Sequence, residues 1–126
     1  MYVHYNPNPR GASRAGDCVI RALSLATGNS WEETYMGLAV EGFRLGDMPS
    51  SNGVWGNYLL QKGFEVYSVP NTCPQCYTVF QFCADHPYGM FVLGTGTHVV
   101  TVINGNYYDS WDSGDEVPVY LFRKGK

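Results

Sequence analysis

The chain has 126 residues with a formal charge of -3 at pH 7, and its side chains are 44% apolar and only 15% charged. That balance fits one compact domain spanning residues 1–126 and excludes a disordered or linker-only chain, since 10 Tyr, 6 Phe and 3 Trp supply rings enough for a core. Lys and Arg, 8 in all, are scattered among 11 acids, so no positive run is present to hold nucleic acid or an anionic membrane.

The chain opens M-Y-V-H-Y-N-P-N-P-R, polar and proline-broken, unlike the apolar centre of a secretory signal, and no later stretch approaches the ~18 apolar residues of a membrane span. The expected setting is the cytoplasm, with the cysteines reduced. His4 and Tyr5 on this arm are read as solvated or packed over the following loop, without chemistry. Asp17 stands at an N-cap position ahead of an apolar helix through Val19, Ile20, Ala22, Leu23, Leu25 and Ala26, and Thr27-Gly28 is its stop. Cys18 is then the first residue of a mostly buried helix. Ser30 and Glu33 form a capping-box pattern for a second helix through Trp31, Tyr35, Leu38 and Ala39, and a third, through Trp55, Tyr58, Leu59 and Leu60, ends at Gly63.

Phe64 to Val69 alternates as a strand and stops at Pro70, and Thr78 caps a short fourth helix that His86-Pro87 ends. Met90–Leu93, His98–Ile103, Tyr107–Trp111 and Val117–Phe122 read as strands, with Asn104-Gly105 a strong two-residue hairpin turn. The expected fold class is α+β, with N-terminal helices packed on a small C-terminal antiparallel sheet.

The hairpin makes a geometric statement. A two-residue turn at Asn104-Gly105 pairs Ile103 with Asn106, and hence His98 with Trp111. Asp109 then shares the face of His98 one diagonal step away, about 5.5 to 8 Å at Cβ, while Asp112 has the opposite parity and serves turn hydrogen bonding before Ser113-Gly114. Cysteine catalysis needs a nucleophilic thiolate, a histidine that removes and returns a proton, and an acceptor that orients the imidazole. Cys18, His98 and Asp109 supply those types. A helix N-terminus also lowers a thiol's pKa and aims backbone N–H groups at a developing oxyanion, although Asp17 places an opposing charge beside it.

At these residues the chain resembles the papain-like cysteine peptidase superfamily. G-D-C-V-I-R-A around Cys18 is similar to the nucleophile segment, T-H-V-V at 97–100 to the histidine strand, and D-S-W-D at 109–112 to the Asn-Ser-Trp-Gly motif. The resemblance covers most of the chain and implies a compact bacterial or phage-associated member, with a papain-like fold, a peptide or protein substrate and no cofactor. It implies a Cys18-His98-Asp109 triad with Trp111 shielding the Cys-His pair. Where the family carries an oxyanion-hole glutamine this chain has Ala12, and Asn6, Asn8 and Ser13 are the nearby side chains that could serve; Asp17 shapes the same site.

Two rival readings accompany the triad. Cys73-x2-Cys76-x6-Cys83-x2-His86 offers ligand types suited to tetrahedral zinc, but Cys83 shares the apolar stripe of Val79, Phe80 and Phe82 and reads as core, so no metal is expected. The other is a non-catalytic bacterial or phage binding protein that keeps the fold.

Overall fold

The computed structural model describes residues 1–12 and 15–124. In chain order the elements are β1 (Tyr2–His4), α1 (Cys18–Thr27), α2 (Trp31–Leu45), α3 (Asn52–Gln61), β2 (Phe64–Ser68), α4 (Val79–Asp85), β3 (Met90–Gly94), β4 (Val99–Ile103), β5 (Asn106–Asp109) and β6 (Tyr120–Lys124). The α+β class stands. The sheet is larger than expected and mixed, with six strands in the order β1-β5-β4-β3-β6-β2.

The local signals act as their chemistry requires. Glu33 N–H donates to the Ser30 hydroxyl at 3.0 Å while the Glu33 carboxylate accepts from Ser30 N–H at 2.9 Å. Thr78 and Gln81 repeat this reciprocal cap at the start of α4. Gly28 ends α1 with φ 73°, a left-handed conformation that glycine adopts without strain. Asn104 and Gly105 both take positive φ, which sets the twist of the β4–β5 hairpin and its Ile103–Asn106 register.

The alternation of the central strands divides the core between two sheet faces. Val92 and Val99 join Val19, Leu23, Leu38, Trp55 and Leu59 under α1–α3, whereas Leu93, Val100 and Val102 join Val79, Phe82 and Cys83 beneath α4. Leu23 and Leu38 are fully buried, each stabilising by about 1.5–3 kcal/mol relative to exposure. Helix α1 lies against β4 on one side and α2 on the other, so its N-terminus opens between sheet and helical layer.

Three expectations are corrected. The N-terminal arm is a strand: Tyr2–His4 pairs in parallel with Tyr107–Asp109, and Tyr5 N–H donates to the Asp109 carbonyl at 2.8 Å. Three residues carry no local strand pattern; the pairing comes from the free edge of β5. The last two strands run over Asn106–Asp109 and Tyr120–Lys124, because the segment after Asp109 folds into turns around Asp112. Cys73 and Cys76 form a disulfide instead of remaining reduced; the two lie only three positions apart, and their chain turns back between β2 and α4. Among the described residues no helix is long and apolar enough to cross a membrane.

Candidate active site

Cys18, half-buried at the first position of α1, stands beside the His98 side chain and the Val99 backbone N–H, both of which draw its thiol pKa down. His98 precedes β4, where its carbonyl accepts from Thr95 N–H at 2.8 Å across a turn that needs the positive φ of Gly96. Its Nε2 lies 2.5 Å from Asp109 Oδ2, which leaves Nδ1 for the thiol. The β4–β5 ladder runs from Ile103 opposite Asn106 to Thr101 opposite Tyr108, and His98, just before β4, and Asp109, at the end of β5, meet beyond it through their side chains. The rings of His98 and Trp111 are 4.7 Å apart. The hairpin region thus brings His98, Asp109 and Trp111 together, and the packing of α1 on β4 sets Cys18 beside them.

Electrostatics within the cluster favour charge separation. Burial pushes the Cys18 thiol up, but the hydrogen bond from His98, its positive charge, the Val99 N–H and the Arg21 guanidinium together bring it below an ordinary cysteine. Burial pulls His98 down, yet its hydrogen bonds to Asp109 and Cys18 outweigh this and raise it to about 9. Asp109 is 2% exposed; burial raises its carboxyl, and the bonds from His98 and Ser113 more than compensate, so it stays ionised. Both shifts act in the direction of a thiolate–imidazolium pair.

The support beneath the triad contains residues that sequence reasoning missed. Arg21, buried in α1, donates through one guanidinium nitrogen to Asp17 and through the other to Asp109 Oδ1 at 3.1 Å. Ser113 donates to Asp109 Oδ2 at 2.7 Å and Ser110 N–H to Oδ1 at 2.8 Å. The available signal for Arg21 was its position, a cation inside the apolar run V-I-R-A-L, which burial permits only with anionic partners. Asp17 consequently differs from expectation. It occupies the N-cap position but makes no side-chain cap bond; its carboxylate is turned to Arg21, Asn8 Nδ2 at 3.1 Å and Trp31 Nε1 at 2.9 Å. Its charge is matched by Arg21, and the first-turn N–H groups of α1 are left uncapped beside Cys18.

Asn8 donates to Asp17, and Asn6 Nδ2 donates to the Ala12 carbonyl at 3.1 Å, so both serve the loop before Cys18. Ser13 lies outside the described residues. Asp112 has the turn role expected of it, accepting from the Tyr107 hydroxyl at 2.6 Å and from Gly114 N–H at 3.1 Å.

The zinc constellation does not assemble. Cys73 is bonded to Cys76, Cys83 is buried in the core, and His86 stacks on Phe82 with ring centroids 3.9 Å apart. Among the described residues no three His, Cys, Asp or Glu side chains are grouped so as to hold a metal ion. Compared with known proteins, the chain matches no family model, no curated protein and no solved structure.

Proposed function

We propose that this protein is a thiol-dependent hydrolase, a cysteine peptidase or amidase of papain-like type, that cleaves an amide or isopeptide bond through Cys18, His98 and Asp109. The observation that carries the reading is the convergence of the half-buried Cys18 with His98, whose Nε2 bonds the buried Asp109 carboxylate at 2.5 Å, at the start of a helix that has no side-chain cap. In this mechanism the Cys18 thiolate attacks the carbonyl carbon, forming a carbon–sulfur bond and an oxyanion, which the first-turn N–H groups of α1 stabilise. Collapse expels the amine, which takes its proton from the His98 imidazolium, leaving a thioester. His98, now neutral, takes a proton from water as the water attacks; the acid departs and the thiolate–imidazolium pair returns. Asp109 holds the imidazole in the required tautomer throughout. Trp111 covers one side of the imidazole and limits water access to it.

The test is alkylation by iodoacetamide with mapping of the modified cysteine. Cys83, which is buried and has its thiol pushed up by that burial, is the internal control. Selective reaction at Cys18 near neutral pH, lost in His98→Ala, supports the reading; a Cys18 rate that matches an ordinary exposed thiol overturns it. An exposed stripe along α2, Met36, Val40 and Phe43, the last 91% exposed, favours a second reading, a binding protein with this architecture, and ordinary Cys18 reactivity is the result that would select it.

A further inference from the structure

Arg21 lies one helical turn beyond Asp17 and Cys18 in α1, a spacing that sets its side chain next to both. Its guanidinium is shared between two carboxylates, one nitrogen donating to Asp17 and the other to Asp109 Oδ1 at 3.1 Å. All three side chains are buried. Asp109 gives His98 its second oxygen, Oδ2. One buried cation thus contacts both the chain neighbour of the nucleophile and the carboxylate that orients the base.

Two buried carboxylates facing one guanidinium leave a net fixed charge of -1 beside Cys18 and His98. Among the described residues the other groups bonded to these carboxylates are neutral, His98 apart: Asn8 and Trp31 on Asp17, Ser113 and Ser110 N–H on Asp109. Loss of Arg21 would leave both anions uncompensated in a buried setting, which disfavours a thiolate and favours an imidazolium. Burial pushes the Cys18 thiol up, and Arg21 joins His98 and the Val99 N–H in opposing it. Other charged and titratable groups reach the pair through intermediates. Glu116 accepts from the Thr95 hydroxyl at 3.2 Å, and that hydroxyl accepts from His98 N–H at 3.1 Å. The Tyr2 hydroxyl, 3.2 Å from His4 Nδ1, donates to the Asp109 carbonyl at 3.1 Å. Tyr5 bonds Ser24 of α1, Glu32 and Tyr35 of α2 line the groove beside Asp17, and Asp112 is held by Tyr107 and Gly114. These groups are common to every variant below, so differences between variants report Arg21 and Asp17.

We propose that Arg21 is a positioning residue of the thiol chemistry: its one positive charge cancels Asp17 beside the nucleophile and shares Asp109 with His98, and so sets the charge state of the Cys18–His98 pair. The inference rests on the thiol-hydrolase reading and deepens it by naming the group that tunes that site.

The test follows two titrations, the iodoacetamide rate at mapped Cys18 against pH and the His98 ring proton shifts in NMR, assigned by their loss in His98→Ala. Removing a positive charge makes both protons harder to lose, so in Arg21→Met both macroscopic steps are expected to rise, each by about 0.5 pH unit or more. Loss of packing alone would part them, because Cys18 would rise toward an ordinary thiol while His98, with Asp109 swung free, would fall toward an ordinary imidazole. Arg21→Met combined with Asp17→Asn restores the charge balance and is expected to bring both steps back toward wild type. A thermal melt confirms which variants are folded. If Arg21→Met does not fold, Asp17→Asn against the double variant reads the same charge, and both steps are expected to stand higher in the double variant. Steps that stay within about 0.2 unit of their reference, or that move in opposite directions, overturn the role of Arg21 and leave the hydrolase reading standing on selective reaction of wild-type Cys18. A wild-type Cys18 that titrates and reacts as an ordinary thiol overturns the reading itself.

Discussion

Arg21→Met removes the cation that joins Asp17 to Asp109. All three side chains are buried, at 5%, 5% and 2% exposure for Arg21, Asp17 and Asp109. Breaking a buried ion pair by deleting one partner costs about 3–5 kcal/mol, because the remaining charge is left uncompensated. Here the carboxylates keep other donors: Asn8 and Trp31 on Asp17, and His98, Ser113 and Ser110 N–H on Asp109. Methionine also removes the buried Arg21 Nε–H, which has no partner and itself costs about 1 kcal/mol or more to desolvate. These offsets place the loss at the low end, about 3 kcal/mol. With a urea dependence of about 2 kcal/mol per molar, the unfolding midpoint should fall by about 1.5 M at unchanged slope. Adding Asp17→Asn should recover part of the loss, since it neutralises one of the two stranded charges, and the two changes should be visibly non-additive. A midpoint within about 0.3 M of wild type would refute the claim that this network ties α1 to β5.

Asp109→Ala should lower the rate of Cys18 alkylation near neutral pH, and of any turnover, by about 100-fold or more by releasing His98, whereas Asp112→Ala should leave alkylation unchanged and cost about 1 kcal/mol of stability from its Tyr107 and Gly114 bonds; the reverse pattern would show that the hairpin register is wrong. Because Cys18 is lowered and His98 is raised to about 9, alkylation should persist below the pH at which an ordinary thiol reacts and change again near pH 9, and His98→Ala, which leaves burial opposed only by the Val99 N–H and Arg21, should move the Cys18 profile upward. His98 is raised above its ordinary 6.5, so its contribution to stability is fully present below that value and lost as pH rises through about 9, which urea midpoints at pH 6 and pH 10 will read. Replacing Cys73 and Cys76 together by Ser should leave Cys18 alkylation unchanged and lower the unfolding free energy by no more than about 2 kcal/mol, since the closed loop is short; a loss of Cys18 reactivity would tie that loop to the site.

Much of this protein is written in short stretches of chain. The caps at Ser30 and Thr78, the left-handed stop at Gly28 and the Asn104-Gly105 turn each act over a few residues, so their chemistry is legible without tertiary information. The turn carries furthest, because a fixed two-residue hairpin propagates its register along both strands and so aligns His98 with Asp109. Tertiary structure decided what depends on partners distant in sequence. Tyr2–His4 becomes a strand only because β5 offers an edge. Arg21 finds Asp109 across 88 positions, and that meeting turns Asp17 from an expected helix cap into half of a buried ion pair. The low-dielectric interior enforces both choices: an unpaired backbone edge or an unmatched charge is costly there, and its partner is whatever group the packed chain brings within reach.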